Sequence, residues 1–272
     1  MAMVDVAKKA LKDALACFDP TLKIDSKGYV NSFRDNLVPL VCAEDFEEEL
    51  QQGDGNELDC KFRAAHSSSA LAVNSFGPFK RCKADLKILD AEPFGSLHFE
   101  RKCPTGLRGN APNLDIFLEG ESGIIGIESK LTEHLTSKRA KFSSAYEQIN
   151  EDRRKTAWFT EMLRLMKEPE SYVWLDAAQL IKHAFGLTNP KTFCGKSATL
   201  LYLYWEPLNA ARYSEFFEHR REIEKFAKQV CGSSPSFRAM SYHELWSSWG
   251  QTAPDWLMEH LNDLKSRYGV CI

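Results

Sequence analysis

The stretch Pro112-Asn113-Leu114-Asp115-Ile116-Phe117-Leu118-Glu119-Gly120-Glu121-Ser122-Gly123-Ile124-Ile125-Gly126-Ile127-Glu128-Ser129-Lys130 decides how the chain is read. Two apolar runs flank Gly120-Glu121-Ser122-Gly123, the composition of a tight hairpin turn. With Gly120 facing Gly123, Leu118 faces Ile125, Ile116 faces Ile127 and Leu114 faces Ser129. These positions share one face of the ribbon, and all but Ser129 are apolar. The other face sets Phe117 opposite Gly126, Asp115 opposite Glu128 and Asn113 opposite Lys130. A slip of one residue would mix the faces, so the pattern fixes the register.

Directly opposed side chains on such a ribbon have Cβ atoms about 4.5–5.5 Å apart. Two carboxylates held that close repel unless one is protonated or a cation lies between them. A hard, oxygen-liking ion, Mg²⁺ or Mn²⁺, suits that place. Lys130 adds a positive charge beside it, able to stabilise developing phosphoryl charge. Acid-x-Lys triplets also begin at Asp25, Asp59, Asp85, Glu100 and Asp263, where surface charge explains them. Glu128 differs because it ends an apolar strand and has an acid opposite.

Working outward, Ser96–Lys102 alternates as a strand, and Cys103–Pro112, rich in Pro and Gly, reads as a loop. Upstream, Met1–Phe18 carries apolar residues at helical spacing, and Glu57–Phe76 reads as a helix ended by Gly77-Pro78. Downstream, Thr136–Lys167 and Tyr172–Phe185 read as helices, Ser197–Trp205 as a buried strand and Ala211–Val230 as a helix. Phe237–Met240 reads as a short strand and Asp255–Arg267 as a final helix. This order predicts an α/β fold with a central mixed sheet flanked by helices.

The chain has 272 residues, 43 % hydrophobic and 27 % charged, with a net charge of −3. That suits one large domain and excludes a histone-like polycation, while leaving room for a local basic channel. No apolar run approaches the ~20 residues of a membrane span. No Walker-type phosphate loop occurs, and His66 beside Ser67–Ser69 lacks the acid partner of a nucleophile triad. The eight cysteines are scattered without a C-x-x-C pair, and no secretory leader is visible. Reduced thiols in a cytoplasm are expected.

The string Pro112-Asn113-Leu114-Asp115, twelve residues, then Glu128-Ser129-Lys130 resembles the motif of the PD-(D/E)XK nuclease superfamily, the restriction-endonuclease-like fold. The order of elements from 57 to 207 resembles that family's αβββαβ core. The segment Gly53-Asp54-Gly55-Asn56-Glu57-Leu58 with His66–Leu71 and Asn74 is similar to a bacterial branch of nucleases. One departure is that Pro112 stands three residues before Asp115 rather than adjacent to it. The resemblance implies that Asp115 and Glu128 bind Mg²⁺ or Mn²⁺ with the Ser129 backbone carbonyl, and that Lys130 assists the water or the scissile phosphate. It also implies an acid from the helix before the first strand, for which Glu57 is the candidate. A Glu in a first helical turn is equally explained by the helix dipole.

On this reading 1–272 is one domain: a helical extension over 1–56, the nuclease-like core over 57–207 and an α/β completion over 208–272. The substrate is DNA, with RNA as the second class, and a homodimer is compatible with cutting two strands. Other site candidates are Glu100, read also as a charge guarding an edge strand, and Gln179 and His183, one turn apart on a helix. Backbone phosphates are assigned to Arg108 and to a basic helix bearing Lys138, Arg139 and Lys141. Interleaved acids make a salt-bridged solvated face the competing explanation for that helix. Two rival functions remain: a catalytically silent nuclease fold that binds nucleic acid or a protein, and a hydrolase of another phosphoester.

Overall fold

The computed structural model describes residues 2–52, 57–89, 93–121, 123–193 and 195–272. The strands are β1 (Phe94–Lys102), β2 (Asn113–Gly120), β3 (Ile124–Lys130), β4 (Ala198–Tyr204) and β5 (Ser236–Ser241), adjacent in that order in one sheet. The first three run antiparallel, whereas β4 and β5 run parallel to β3. The helices are α1 (Met3–Phe18), α2 (Glu47–Gln51), α3 (Ser68–Phe76), α4 (Glu151–Arg154), α5 (Ala157–Lys167), α6 (Ala177–Leu187), α7 (Ser214–Gln229), α8 (Tyr242–Gly250) and α9 (Asp255–Tyr268). Among the described residues, no helix is long and apolar enough to cross a membrane.

The sheet is covered on both faces. Ile116, Leu118, Ile125 and Ile127 point into one core with α1, α3, α8 and α9. Phe117, Ile124, Leu200 and Tyr202 point into a second core with α5, α6 and α7. Burial on both sides explains the near-continuous apolar run of β4. Trp205 and Trp246 are fully enclosed, so they serve packing rather than base stacking.

The predicted hairpin register is the one observed: Ile116 pairs with Ile127, Phe117 with Gly126, and Leu118 with Ile125. The ladder stops there, so Asp115 and Glu128 are not a ladder pair. The expected face assignment of Leu114 also fails, because Leu114 packs with Phe117 in the second core while Ile116 lies in the first. Strict alternation would put Leu114 and Ile116 on the same side. The break coincides with Glu100 on β1, whose φ is +50°, between the pairs Phe99–Ile116 and Arg101–Leu114. The two strands change faces there together, which makes Glu100 and Asp115 the turning points.

Three helical expectations are corrected. Glu57–Cys60 is a turn followed by a 3-10 turn at Lys61–Arg63, and the helix starts only at Ser68, where the Ser67 hydroxyl caps the Ala70 amide. Thr136–Lys167 is not one helix. Residues 136–143 are extended because Lys138 and Ala140 donate backbone hydrogen bonds to the carbonyls of Val173 and Pro169. The helix expected from Tyr172 starts at Ala177 instead, because the Glu222 carboxylate accepts the amides of Val173, Trp174 and Leu175 and holds that segment open. Helix α8 was not expected at all. Of the hairpin turn, Ser122 lies outside the described residues, as does Gly53–Asn56 of the nuclease-like segment.

Two buried polar groups anchor the N-terminal layer. The Arg267 guanidinium donates to the carbonyls of Leu11 and Ala65 and to the Asn36 side chain. Asn74 donates to the Asn36 carbonyl and the Tyr268 hydroxyl. On the opposite face, Gly186 of α6 lies so close to the loop after β1 that an added Cβ would sit 2.4 Å from the Cys103 carbonyl oxygen. A backbone atom cannot swing aside, so Gly186→Ala is expected to lower stability by about 1–3 kcal/mol. Urea unfolding checks this, and an unchanged midpoint would show that α6 can shift freely.

Candidate active site

Where the β2–β3 ladder ends, the strands part and open a cleft of about 740 Å³. Glu57, Glu100, Asp115, Lys130, Lys138 and Gln179 line it, all singled out from the sequence. They come from five places: the turn before α3, β1, the hairpin, the extended segment after it, and α6.

Asp115 is half-buried and open to the cleft. Its Oδ2 accepts the backbone N–H of Ser129 at 2.6 Å, which replaces the ladder bond lost where the strands diverge. Burial, then the carboxylates of Glu128 and Glu100, push its pKa well above the usual range, against the pull of Lys130 and the Ser129 amide. Four acids, Glu57, Glu100, Asp115 and Glu133, line the cleft with three lysines, Lys61, Lys130 and Lys138.

Glu128 is 2 % exposed and does not line the cleft. Its Oε1 accepts a hydrogen bond from Lys130 Nζ, and its Oε2 lies 2.8 Å from His183 Nε2. Burial alone would raise this carboxyl. The Lys130 ammonium and His183 outweigh burial and hold it down at about 2. Burial likewise disfavours the Lys130 charge, but Glu128, then Asp115 and Glu133, raise its pKa above that of a free lysine. Lys130 is therefore a firmly held cation at the floor of the cleft.

Glu57 accepts a hydrogen bond from the Ser69 hydroxyl at 2.8 Å. It reaches the cleft from a turn rather than from a first helical turn, so the helix dipole does not account for it. Glu100 also lines the cleft, from β1 at the edge of the sheet. The Ser129 hydroxyl shares a hydrogen bond with the Tyr242 hydroxyl at 2.6 Å, facing away into the first core.

The basic candidates separate. Lys138 lines the cleft and pairs with Asp176 at 3.3 Å. Arg139 pairs with Glu170 at 3.8 Å on an exposed surface, and Lys141 is exposed. Neither lines the cleft, nor does Arg108, which is exposed in the loop after β1. The expected basic helix is thus a strand-like segment with one lysine at the site.

Glu133 was missed. Its Oε2 accepts the amides of Leu131 and Thr132, and the residue lines the cleft beside Lys130. An acid just past a strand end that caps the free amides of the following turn is a signal readable from sequence.

The donor chemistry fits a hard divalent ion, because Asp115, Glu128, Glu57, Glu100 and Glu133 offer carboxylate oxygens. Burial and then the neighbouring carboxylates disfavour the Asp115 charge, and a cation bound there would offset both. Among the described residues, however, no three His, Cys, Asp or Glu side chains stand close enough together to hold an ion as they lie. Both oxygens of Glu128 face Lys130 and His183.

The five-stranded mixed sheet with helices on both faces, carrying two acids and a lysine at the end of its central hairpin, defines a restriction-endonuclease-like protein. The chain belongs to the family described as restriction endonuclease associating with ARP, whose model matches residues 8–269. No curated protein and no solved structure matches the chain.

Proposed function

We propose that the protein is a metal-dependent endonuclease that hydrolyses DNA phosphodiester bonds. The observation that carries this reading is the convergence of Asp115, Glu100, Glu57 and Lys130 on one cleft at the end of the hairpin. Asp115 and Glu128, with the Ser129 carbonyl, would hold Mg²⁺ or Mn²⁺. Such an ion lowers the pKa of bound water and neutralises phosphate charge. Lys130 places its ammonium at the scissile phosphate as charge builds there. Water forms the new bond to phosphorus while the bond to the leaving sugar oxygen breaks in line. To hold such an ion Glu128 would have to give up its contact with Lys130, and the lysine would then be free for the phosphate.

Lys138 and Gln179 would line the path of the strand, with Arg108, Arg139 and Lys141 left to outer contacts. His183 would hold Glu128 from behind. The family's description names an association with ARP, so a protein partner is part of the proposal. Free thiols at all seven described cysteines accord with a cytoplasmic setting.

The test compares purified wild type with Asp115→Ala on supercoiled plasmid, with and without Mg²⁺ or Mn²⁺. Nicking by the wild type alone, and only with metal, is the expected result. Silence on plasmid, single-stranded DNA and RNA would instead support a binding module. Equal cleavage by both proteins would mean that the hairpin is not the site.

A further inference from the structure

The reaction cleft opens sideways into a second chamber of about 320 Å³. The two share Glu57, Lys61, Ser68, Glu133 and Lys138 as a common wall. The chamber's size lies at the low end of the ~300–1,000 Å³ typical of small-ligand sites. Its far side comes from α1 and the segment before α3.

On that side Tyr29 meets His66 edge to face, with ring centres 6.2 Å apart and an angle of 88° between the planes. Val4 and Ala64 extend the apolar surface, and Lys8 projects from α1. Burial, reinforced by the Lys8 ammonium, pushes His66 down to about 4. Its imidazole is therefore neutral at pH 7, with one nitrogen donating and one accepting. A ring-lined wall suits the plane of a nucleobase, a neutral imidazole suits its edge, and an ammonium suits its phosphate.

Resting on the nuclease reading above, we propose that this chamber is a nucleotide subsite that receives one unstacked nucleotide of the substrate strand, next to the scissile phosphate. The base lies against Tyr29 and His66, and the flanking phosphate meets Lys8. A base inside a paired duplex stays stacked, so the nucleotide entering here is unpaired or flipped out. The enzyme then favours substrates that are already single-stranded at that position. A free nucleoside monophosphate has the same chemistry, and the test separates the two sources.

Binding of a single-stranded oligonucleotide is measured in Ca²⁺, with each base in turn replaced by an abasic sugar. One position beside the cut is expected to lose at least tenfold in affinity when its base is removed. Thr136 is exposed at the chamber wall, so Thr136→Trp fills the mouth without disturbing the core. In Thr136→Trp, and in Tyr29→Ala, the loss is expected to vanish because the chamber no longer accepts a base. A flat abasic scan in the wild type, or the same sensitive position in both variants, overturns the subsite. If metal- and Asp115-dependent cleavage persists in that case, the nuclease reading survives. If nothing is cleaved but the scan shows the Thr136-dependent position, the subsite stands and the nuclease reading falls. Tight binding of a free nucleoside monophosphate, blocked by Thr136→Trp and paired with a flat scan, assigns the chamber to free nucleotides and overturns its role for the strand.

Discussion

Asp115→Asn is expected to lower metal-dependent cleavage by about 10³-fold or more while raising the melting temperature of the metal-free protein. The loss of activity follows from removing an oxygen donor whose ion supplies several kcal/mol of transition-state stabilisation, at about 1.4 kcal/mol per tenfold. The gain in stability follows from the electrostatics of the cleft. Burial and the carboxylates of Glu128 and Glu100 raise the Asp115 carboxyl well above its ordinary value. A raised folded-state pKa means that the folded protein binds a proton more tightly than the unfolded chain does. Its contribution to stability therefore falls as pH rises above the ordinary carboxylate range and through the raised pKa. Asn keeps an oxygen for the Ser129 amide and removes that repulsion. Proton and metal compete for the same carboxylate, so Mn²⁺ is expected to stabilise the wild type more as pH rises, and the Asn variant hardly at all. Thermal melts with and without Mn²⁺ across pH decide the matter. Equal Mn²⁺ stabilisation of both proteins, or cleavage by the variant within tenfold of the wild type, would refute the assignment.

Lys130→Met is the second large effect, and it strikes the fold as well as the chemistry. Glu128 is 2 % exposed, and Lys130 is its cation. Breaking a buried pair by removing one partner typically costs about 3–5 kcal/mol, because the remaining charge is stranded. Lys130→Met is therefore expected to lose that much stability at pH 7 together with its activity. The pH dependence carries the sign. Glu128 is held at about 2 in the folded wild type. Its pairing stabilises the protein above the ordinary glutamate pKa, and that stabilisation is lost as pH falls towards 2. The Met variant lacks this contribution, so its deficit shrinks in acid. Glu128→Gln combined with Lys130→Met removes both charges and is expected to recover most of the stability with no activity. A single variant as stable as the wild type, or a double variant no better than the single, would show that Glu128 and Lys130 are not a coupled pair.

The contrast between the two substitutions reflects how one strand end holds its carboxylates. Asp115 faces the cleft, where burial and neighbouring carboxylates disfavour its charge, whereas Glu128 faces inward with its charge met by Lys130 and His183. On the proposed metal-dependent reading, Asp115 would gain from an ion directly, whereas Glu128 would have to release a partner. His183 does not line the cleft, but from α6 it contacts the far oxygen of Glu128. Gln179, one turn earlier on the same helix, reaches the cleft itself.

Local pattern was enough for the hairpin, its register, the buried strand at 198–204 and the terminal helices α1 and α9. Each of these is written in a short period of apolar residues that only one face or one layer can bury. The pattern placed Asp115, Glu128 and Lys130 near the hairpin's end, but the expected facing of Asp115 and Glu128 is absent because the ladder stops at Ile116 and Ile127. What the period could not carry was the behaviour of the strands beyond Ile116. The change of faces at Glu100 and Asp115 depends on two neighbouring strands deforming together, which neither sequence encodes alone. The basic segment at 136–143 is extended because distant carbonyls of Val173 and Pro169 take its amides. Glu57 lines the cleft from a turn, where the Ser69 hydroxyl of α3 donates to its carboxylate. Tyr29, His66 and Lys8 meet only through tertiary packing. Sequence by itself determined which residues had to share a buried face as far as the strands alternate regularly, up to Ile116. Tertiary structure decided which charged side chains found partners and which were left facing the cleft, because desolvation and pairing depend on contacts between residues far apart in the chain.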